Sequence, residues 1–420
     1  MTLHLSAAGL FVTPGPPVGD ANLPGVAVVI LNLNGRRHLE SCLESLRAQR
    51  YPPEKLRVIL IDNGSDDGSH QEVATRWPWV QLVTNERNVG FAAGCNQGAA
   101  LRSGSRIVAF LNNDMRVDPG WLRELVQPIV RGECAATTSK MLSWDGARID
   151  SAGGGMNFHG IGLQYGYKDV PAAEHDRPRR TLFACGGAMA IDAAVFEDCG
   201  GFDPEFFAYY EDVDLGWRLW VQGHEVRYVP TSVCWHHHHG TSDRMPVKAV
   251  RLVQVRNPLY ACFKNYDDEH LRKVLPVALA LLLRRAGLAS GREGDASFRI
   301  EHARAGDRTA APGLAARAWA RLIGQPASAY GETGIGSLAA ADLQAANDLL
   351  SRWPHWMARR TDVQQRRRRG DSEIFRLFLR PLWSVEDDPS YRALLEGATE
   401  FFGLTELFDG LTVMPEDPAR

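Results

Sequence analysis

The chain has 420 residues, 23% of them charged and 45% hydrophobic, with a formal net charge of −3 at pH 7. That length accommodates two domains, and the near balance of charge argues against a broad nucleic-acid surface. The seven cysteines form no Cys-x-x-Cys pair, which argues against a disulfide framework, and no run reaches the roughly eighteen apolar residues of a membrane span.

In chain order, residues 7–12 are apolar but lack preceding basic residues, a poor signal peptide, and residues 13–25 are rich in Pro and Gly. Residues 1–24 therefore read as a flexible leader. Residues 26–31 are a β-rich apolar run, followed by Asn32-Leu33-Asn34-Gly35 and an amphipathic helix over 39–47. Residues 56–61 form another such run, closed by Asp62-Asn63-Gly64-Ser65. Residues 80–83 lead through Asn88 and Gly90 into a small-residue helix containing Asn96. Residues 107–111 end in Asn112-Asn113-Asp114, with Asp118-Pro119 opening a further helix. The β-α-β-α-β-α-β alternation predicts a parallel sheet with every strand ending in polar residues at one edge, the place where α/β sheets bind ligands.

Asp114 then lies where a diphosphate and its cation would sit, and one carboxylate with a helper suits a hard divalent ion. The alternative is that Asn112-Asn113-Asp114 is turn chemistry before the next helix. Asp62, also at a strand terminus, could accept a hydrogen bond from a pyrimidine ring nitrogen or a ribose hydroxyl. Its alternative role is that of a turn residue.

Further along, Cys185-Gly186-Gly187 precedes a segment ending Tyr210-Glu211-Asp212-Val213-Asp214-Leu215-Gly216-Trp217-Arg218. Glu211, Asp212 and Asp214 are candidate general bases, and acids at a helix start are also favoured by its dipole. Arg218 reads as their ion-pair partner. Residues 226–229 predict a strand, followed by His236-His237-His238-His239. In an extended segment alternate histidines face opposite sides, so at most two can share a site. Beyond residue 265 the pattern turns helical, notably at 275–283, 338–357 and 374–379, with a dense cationic run at 366–369. That run is either a solvated face or a contact for anionic lipid headgroups.

Taken together, Val29-Ile30-Leu31-Asn32-Leu33-Asn34-Gly35, Ile61 to Gly68, Asn88 to Ala92 with Asn96-Gln97-Gly98, and Leu111-Asn112-Asn113-Asp114 resemble inverting family-2 glycosyltransferases of the GT-A fold. The subgroup suggested is the bacterial rhamnosyl- and galactofuranosyltransferase-like enzymes. The resemblance covers about residues 25 to 245 and departs at Asn112, which stands where the family has the first acid of Asp-x-Asp. It implies a GT-A domain over 25–265 and leaves 266–420 as a mainly helical C-terminal domain.

The resemblance further implies Asp212 as catalytic base, with Glu211 and Trp217 at the acceptor. Asn32, Asn34, Asp62, Asn88, Gly90, Asn96, Asn113 and Gly187 would hold a UDP- or TDP-linked sugar. Asp114 with His237, chosen through the pattern His-x-x-Gly-x-Ser that ends at Gly240 and Ser242, would hold Mn2+ or Mg2+. His239 is the shifted-register alternative. The acceptor would be a saccharide or a polyprenyl-diphosphate-linked saccharide in cell-surface polysaccharide or glycoconjugate synthesis. The location would be cytoplasmic, peripheral at the inner face of the plasma membrane, with a homodimer left open. The competing classes are a nucleotide-sugar-binding protein without transfer activity and a nucleotidyltransferase. The latter usually opens with a Gly-rich basic phosphate loop, which Asn32-Leu33-Asn34-Gly35 is not.

Overall fold

The computed structural model describes residues 10–237, 246–290, 336–409 and 411. Its first half alternates strand and helix: β1 Val26–Asn32, α1 Arg36–Arg47, β2 Leu56–Asp62, α2 Ser69–Arg76, β3 Gln81–Thr84, α3 Phe91–Ala100 and β4 Ile107–Leu111. β3, β2, β1 and β4 lie side by side in that order and are parallel throughout. The chain steps outward from β1 on one side and returns to its other side at β4. The carboxyl ends of β1 and β4 thus flank the switch point where such sheets open a crevice.

Periodicity explains these elements. All five residues of β4 are buried, as expected of a strand covered on both faces. α1 buries Leu39, Cys42, Leu43 and Leu46, the i, i+3, i+4, i+7 stripe of a one-sided helix.

The remaining strands close the sheet. β5 Met115–Val117, α4 Trp121–Val130, β6 Ala136–Ser143 and β7 Ile149–Ser151 follow β4, then the hairpin of β8 Gly154–Met156 and β9 Gly162–Gln164. β10 Arg179–Arg180, β11 Ala188–Asp192, α5 Ala193–Asp198, α6 Glu211–Val221 and β12 Val226–His236 complete this half. β11 inserts antiparallel between β4 and β6, and β12 runs parallel to β6. The result is a mixed, mostly parallel sheet of ten strands among the described residues.

Helices follow: α7 Val247–Asn265, α8 Asp268–Ala289, α9 Ser337–Ser351, α10 Trp353–Gln365, the single turn α11 Asp371–Ile374, α12 Pro389–Phe401 and α13 Leu404–Phe408. One hydrophobic cluster contains Val29 of β1, Trp217 of α6, Tyr260 of α7, Trp356 of α10 and Phe408 of α13. Residue 265, the last of α7, therefore lies between two helices that both contribute to one continuous core. A second cluster fills the opposite face of the sheet under α1 and α4. No helix among the described residues is long and apolar enough to cross a membrane.

Three expectations change. Residues 10–25 are tied down: Arg180 N–H donates to Leu10 O at 2.7 Å, Val12 N–H to Pro178 O at 3.0 Å, and Val18 N–H to Gln127 Oε1 at 3.1 Å. Pro and Gly gave this segment its extended path, and edge hydrogen bonds fix it. The stretch 338–357 is two helices broken at Arg352, and 374–379 is mostly a 3-10 turn, Phe375–Leu377. Its apolar residues Ile374, Phe375, Leu377 and Phe378 are all buried, so they plug the core without the polar face of a surface helix.

The cationic run is the third. Arg367 pairs with Asp371 at 2.8 Å and donates to Asn265 O, while Arg369 donates to His224 O at 2.9 Å and lies over the Trp220 ring. Arg367 thus fastens the C-terminal helices to the end of α7, Arg369 fastens them to α6 and the turn after it, and Arg366 donates to Asp198 O of α5. Arg366 and Arg368 are the exposed pair.

Candidate functional site

A cleft of about 470 Å³ opens at the carboxyl ends of β1 and β4, and Asn113, Asp114, His236, Glu211 and Asp212 all line it. Amide side chains organise one of its walls. Asn32 is fully buried and donates to Asp62 Oδ1 and Ser69 Oγ, each at 2.8 Å, while its Oδ1 accepts from Asn113 Nδ2 at 2.7 Å. One side chain thereby locks the ends of β1, β2 and β4 together. The Asn32–Asn113 bond passes directly over Gly35, where a Cβ would meet Asn113 Nδ2 at 2.0 Å, so only glycine fits. Asp62 Oδ2 accepts from Ser65 N–H at 3.0 Å, holding the loop after β2. Asn63 joins Asn88 at 2.8 Å, and Asn88 Oδ1 also takes Gly90 N–H at 2.8 Å. Gly90 has φ +91° and faces Phe207, again a glycine position.

At the far side of β4, Asp114 is buried and its Oδ1 lies 3.4 Å from His236 Nε2. His236 Nδ1 lies 2.7 Å from Asp150 Oδ2, so the imidazole is gripped between two carboxylates. Burial alone would raise the Asp114 carboxyl, but the His236 hydrogen bond and the charges of His236 and His38 outweigh it and hold its pKa below the ordinary value. Burial alone would likewise lower His236, yet its two acid partners lift it to about 9.

The opposite wall is the start of α6. The loop before it carries positive φ at Phe207 (63°), Tyr209 (67°) and Tyr210 (67°). Ala208 N–H closes on Phe206 O at 2.7 Å, a γ-turn of the strained hand. Each such residue costs roughly 1–3 kcal/mol and persists only where surrounding contacts impose it. The loop delivers Glu211 and Asp212 to the cleft. Asp212 accepts Gly186 N–H at 2.9 Å and Val213 N–H at 2.8 Å. Burial raises its pKa above the ordinary carboxylate value against those two bonds. Glu211 is buried, its Oε2 has no hydrogen-bond partner, and burial followed by the Asp212 charge raises its pKa well above the usual range. Two adjacent acids with raised pKa values and an unsatisfied oxygen in a cleft are an acid-base site in waiting.

Residues 27–200 match the family model described as Glycosyl transferase family 2. Residues 27–200 are a Glycosyl transferase family 2 domain. The chain is 31% identical over 231 residues to an O-antigen biosynthesis protein RfbC of Myxococcus xanthus, a match covering 53% of this chain and 18% of that one. It is 29% identical over 246 residues to an N-acetylglucosaminyl-diphospho-decaprenol L-rhamnosyltransferase of Mycobacterium tuberculosis, covering 52% and 78%. Among solved structures it is similar to GalNAc-T7 with UDP, GalNAc and Mn2+, at TM-score 0.50 and 19% identity, covering 62% and 52%. The shared fold is GT-A, followed here by a helical C-terminal region.

Within this family 2 domain and its continuation, the expected residues divide. Asn113, Asp114, Asn88, Gly90, Gly187, Glu211 and Asp212 meet at the cleft. Asn32 and Asp62 sit just behind its wall as its framework. Asn34 accepts Asp66 N–H at 2.8 Å and shapes the β2–α2 loop. Asn96 brackets Phe202, accepting its N–H at 3.0 Å and donating to its carbonyl at 2.7 Å, away from the cleft. Trp217 is fully buried, edge-on to Tyr266 and Phe378, and is a core residue. Asp214 is also structural, bound to Arg218 at 2.8 Å and Lys264 at 3.0 Å.

The histidine assignment shifts by one. His237 is exposed and its ring makes tilted contacts with His38 and Trp144, whereas His236 points to Asp114. Pairing of His236 with Met115 on β5 and Ser143 on β6 sets this register. His239, Gly240 and Ser242 lie outside the described residues. Asp150 carries no motif and was missed. Its one signal was an acid directly after Ile149 in a short β pattern. Two other ligand-like clusters, Asp169-Glu174-His175 and Asp267-His270-Asp371, do not line the cleft. In the first, His175 Nδ1 accepts Ala172 N–H at 3.1 Å, and in the second Asp267 caps α8.

Proposed function

We propose that the chain is an inverting glycosyltransferase that moves a sugar from a nucleoside-diphosphate donor to a hydroxyl of a saccharide or lipid-linked saccharide acceptor, in cell-surface polysaccharide or glycoconjugate synthesis. The observation that carries this reading is a single cleft with an Asp114–His236 pair on the sheet side and a proton-hungry Glu211–Asp212 pair on the α6 side.

Chemistry assigns the roles. The described residues lining the cleft include no lysine or arginine, which leaves His236 alone to offset the charge of a diphosphate. A carboxylate and an imidazole converging within 3.4 Å suit Mn2+ or Mg2+, and Asp150 behind His236 is the usual carboxylate–histidine support for a metal ligand. Asp114 and His236 would hold the ion, which supplies charge neutralisation to the departing diphosphate. The nucleoside of a UDP- or TDP-linked donor lies against Asn63 and Asn88, which line the cleft, with Asn32 and Asp62 holding that edge from behind.

Asp212 takes the acceptor hydroxyl proton as the oxygen attacks the anomeric carbon opposite the leaving group. Gly186 and Val213 N–H groups aim the carboxylate. Its raised pKa, from burial, strengthens it as a base. Glu211 offers its unpartnered Oε2 to an acceptor hydroxyl. For an anionic lipid-bearing surface, exposed Arg368 is the available contact, since Arg366 is engaged by Asp198.

The test is a panel of UDP-, TDP- and GDP-sugars, with saccharide and lipid-linked saccharide acceptors, read as nucleotide release with Mn2+ and with EDTA. Acceptor-dependent release from at least one donor, lost in EDTA, supports the reading. Tight donor binding without release from any pair would make the protein a nucleotide-sugar binder.

A further inference from the structure

The carbonyls of the strained loop before α6 are all engaged, and most of them by one side chain. Asn257 of α7 is fully buried, and its Nδ2 lies 2.9 Å from Phe206 O, 3.0 Å from Ala208 O and 2.7 Å from Tyr209 O. Its two hydrogens serve three acceptors. The remaining carbonyl, Phe207 O, receives Phe91 N–H at 2.6 Å and Ala92 N–H at 3.2 Å from the start of α3. Arg256 adds a bond to Glu205 O at 3.0 Å. The next turns of α7 continue the grip: Lys264 reaches Asp203 at 2.6 Å and Asp214 at 3.0 Å, and Asn265 reaches Asp214 at 3.0 Å. Positive φ at Phe207, Tyr209 and Tyr210 has no local cause such as glycine, so these long-range bonds impose it.

We propose that Asn257 is a positioning residue for the transfer reaction: by clamping the carbonyls of residues 206–209 it sets where Glu211 and Asp212 stand relative to the acceptor. It touches neither substrate nor the reacting atoms. The inference rests on the reading of Asp212 as base, and it lies outside the matched span 27–200. It means that α7 shapes the acceptor side of the cleft through one amide.

The test compares Asn257→Ala and Asn257→Ser with Leu259→Ala, a buried α7 residue that makes no hydrogen bond to the loop. With the donor and acceptor that the panel above selects, Asn257→Ala should lower kcat per folded molecule at least about tenfold, since small misplacements of reacting groups are costly. Asn257→Ser, which keeps one donor, should recover part of it. Affinity for UDP with Mn2+ should stay within about twofold, because the nucleotide wall is untouched. Hydrogen exchange in peptides spanning 203–214 should speed up while β1 to β4 stay protected. Leu259→Ala should lower Tm and leave kcat per folded molecule unchanged. Equal kcat losses in the Ala variants of 257 and 259, or unchanged exchange in 203–214, would overturn the proposal. A wild type without turnover would sink the transferase reading instead, and the exchange experiment would still decide the clamp.

Discussion

At the scale of single residues, the cleft keeps acids in places where their charge is penalised. Glu211 has a folded-state pKa well above its ordinary value, from burial first and the Asp212 charge second. The folded protein therefore binds that proton more tightly than the unfolded chain. Stability from this group is fully present below the ordinary glutamate pKa, is lost as pH rises toward the raised one, and is absent above it. Glu211→Gln should accordingly raise Tm at pH 7.5, by about 2–4 °C for each kcal/mol of penalty relieved, and the gain should shrink toward pH 4.5. Thermal melts at the two pH values check this; a lower Tm at pH 7.5 would mean that the carboxylate is satisfied in the fold. Asp114, Glu211 and Asp212 were legible in the sequence because each ends a recognisable strand or opens a helix. Trp217 was not, since the side of α6 it covers is decided by Tyr266 and Phe378, dozens of residues away.

At the scale of elements, the register of β12 decides which histidine faces Asp114. Four consecutive histidines give no internal mark of register, and a one-residue slip exchanges the faces of a strand. Only the pairing of β12 with β5 and β6 selects His236. His236→Ala should abolish measurable Mn2+-dependent UDP binding, Asp150→Asn should weaken it about 10–100-fold, and His237→Ala should change it by less than about threefold. Titration calorimetry of UDP with and without Mn2+ ranks the three. A larger loss in His237→Ala than in His236→Ala would restore the other register.

At the scale of the whole molecule, the parallel half of the sheet was readable because its strands and helices alternate locally, whereas the rest depends on distant pairings such as Val226 with Ala136. The C-terminal helices were legible as helices but not as part of the same core, and the arginine run was not legible as a fastener. Arg367→Ala should destabilise by about 1–3 kcal/mol, because buried Asp371 loses its guanidinium partner and keeps only Asp267 N–H and His270, while Arg368→Ala should fall within about 0.5 kcal/mol. Denaturant unfolding of both separates a structural run from a purely solvated one; equal small effects would contradict the fastening role.

The proposed reaction divides labour across one cleft, with donor and cation at Asp114 and proton removal at Asp212. Parallel measurement of turnover and of Mn2+-dependent UDP affinity in Asp212→Asn and Asp114→Ala tests it most directly. Asp212→Asn should bind UDP as the wild type does and lose turnover at least about a hundredfold, while Asp114→Ala should lose the Mn2+-dependent part of binding. Near-normal turnover in Asp212→Asn, or unchanged Mn2+-dependent binding in Asp114→Ala, would contradict it.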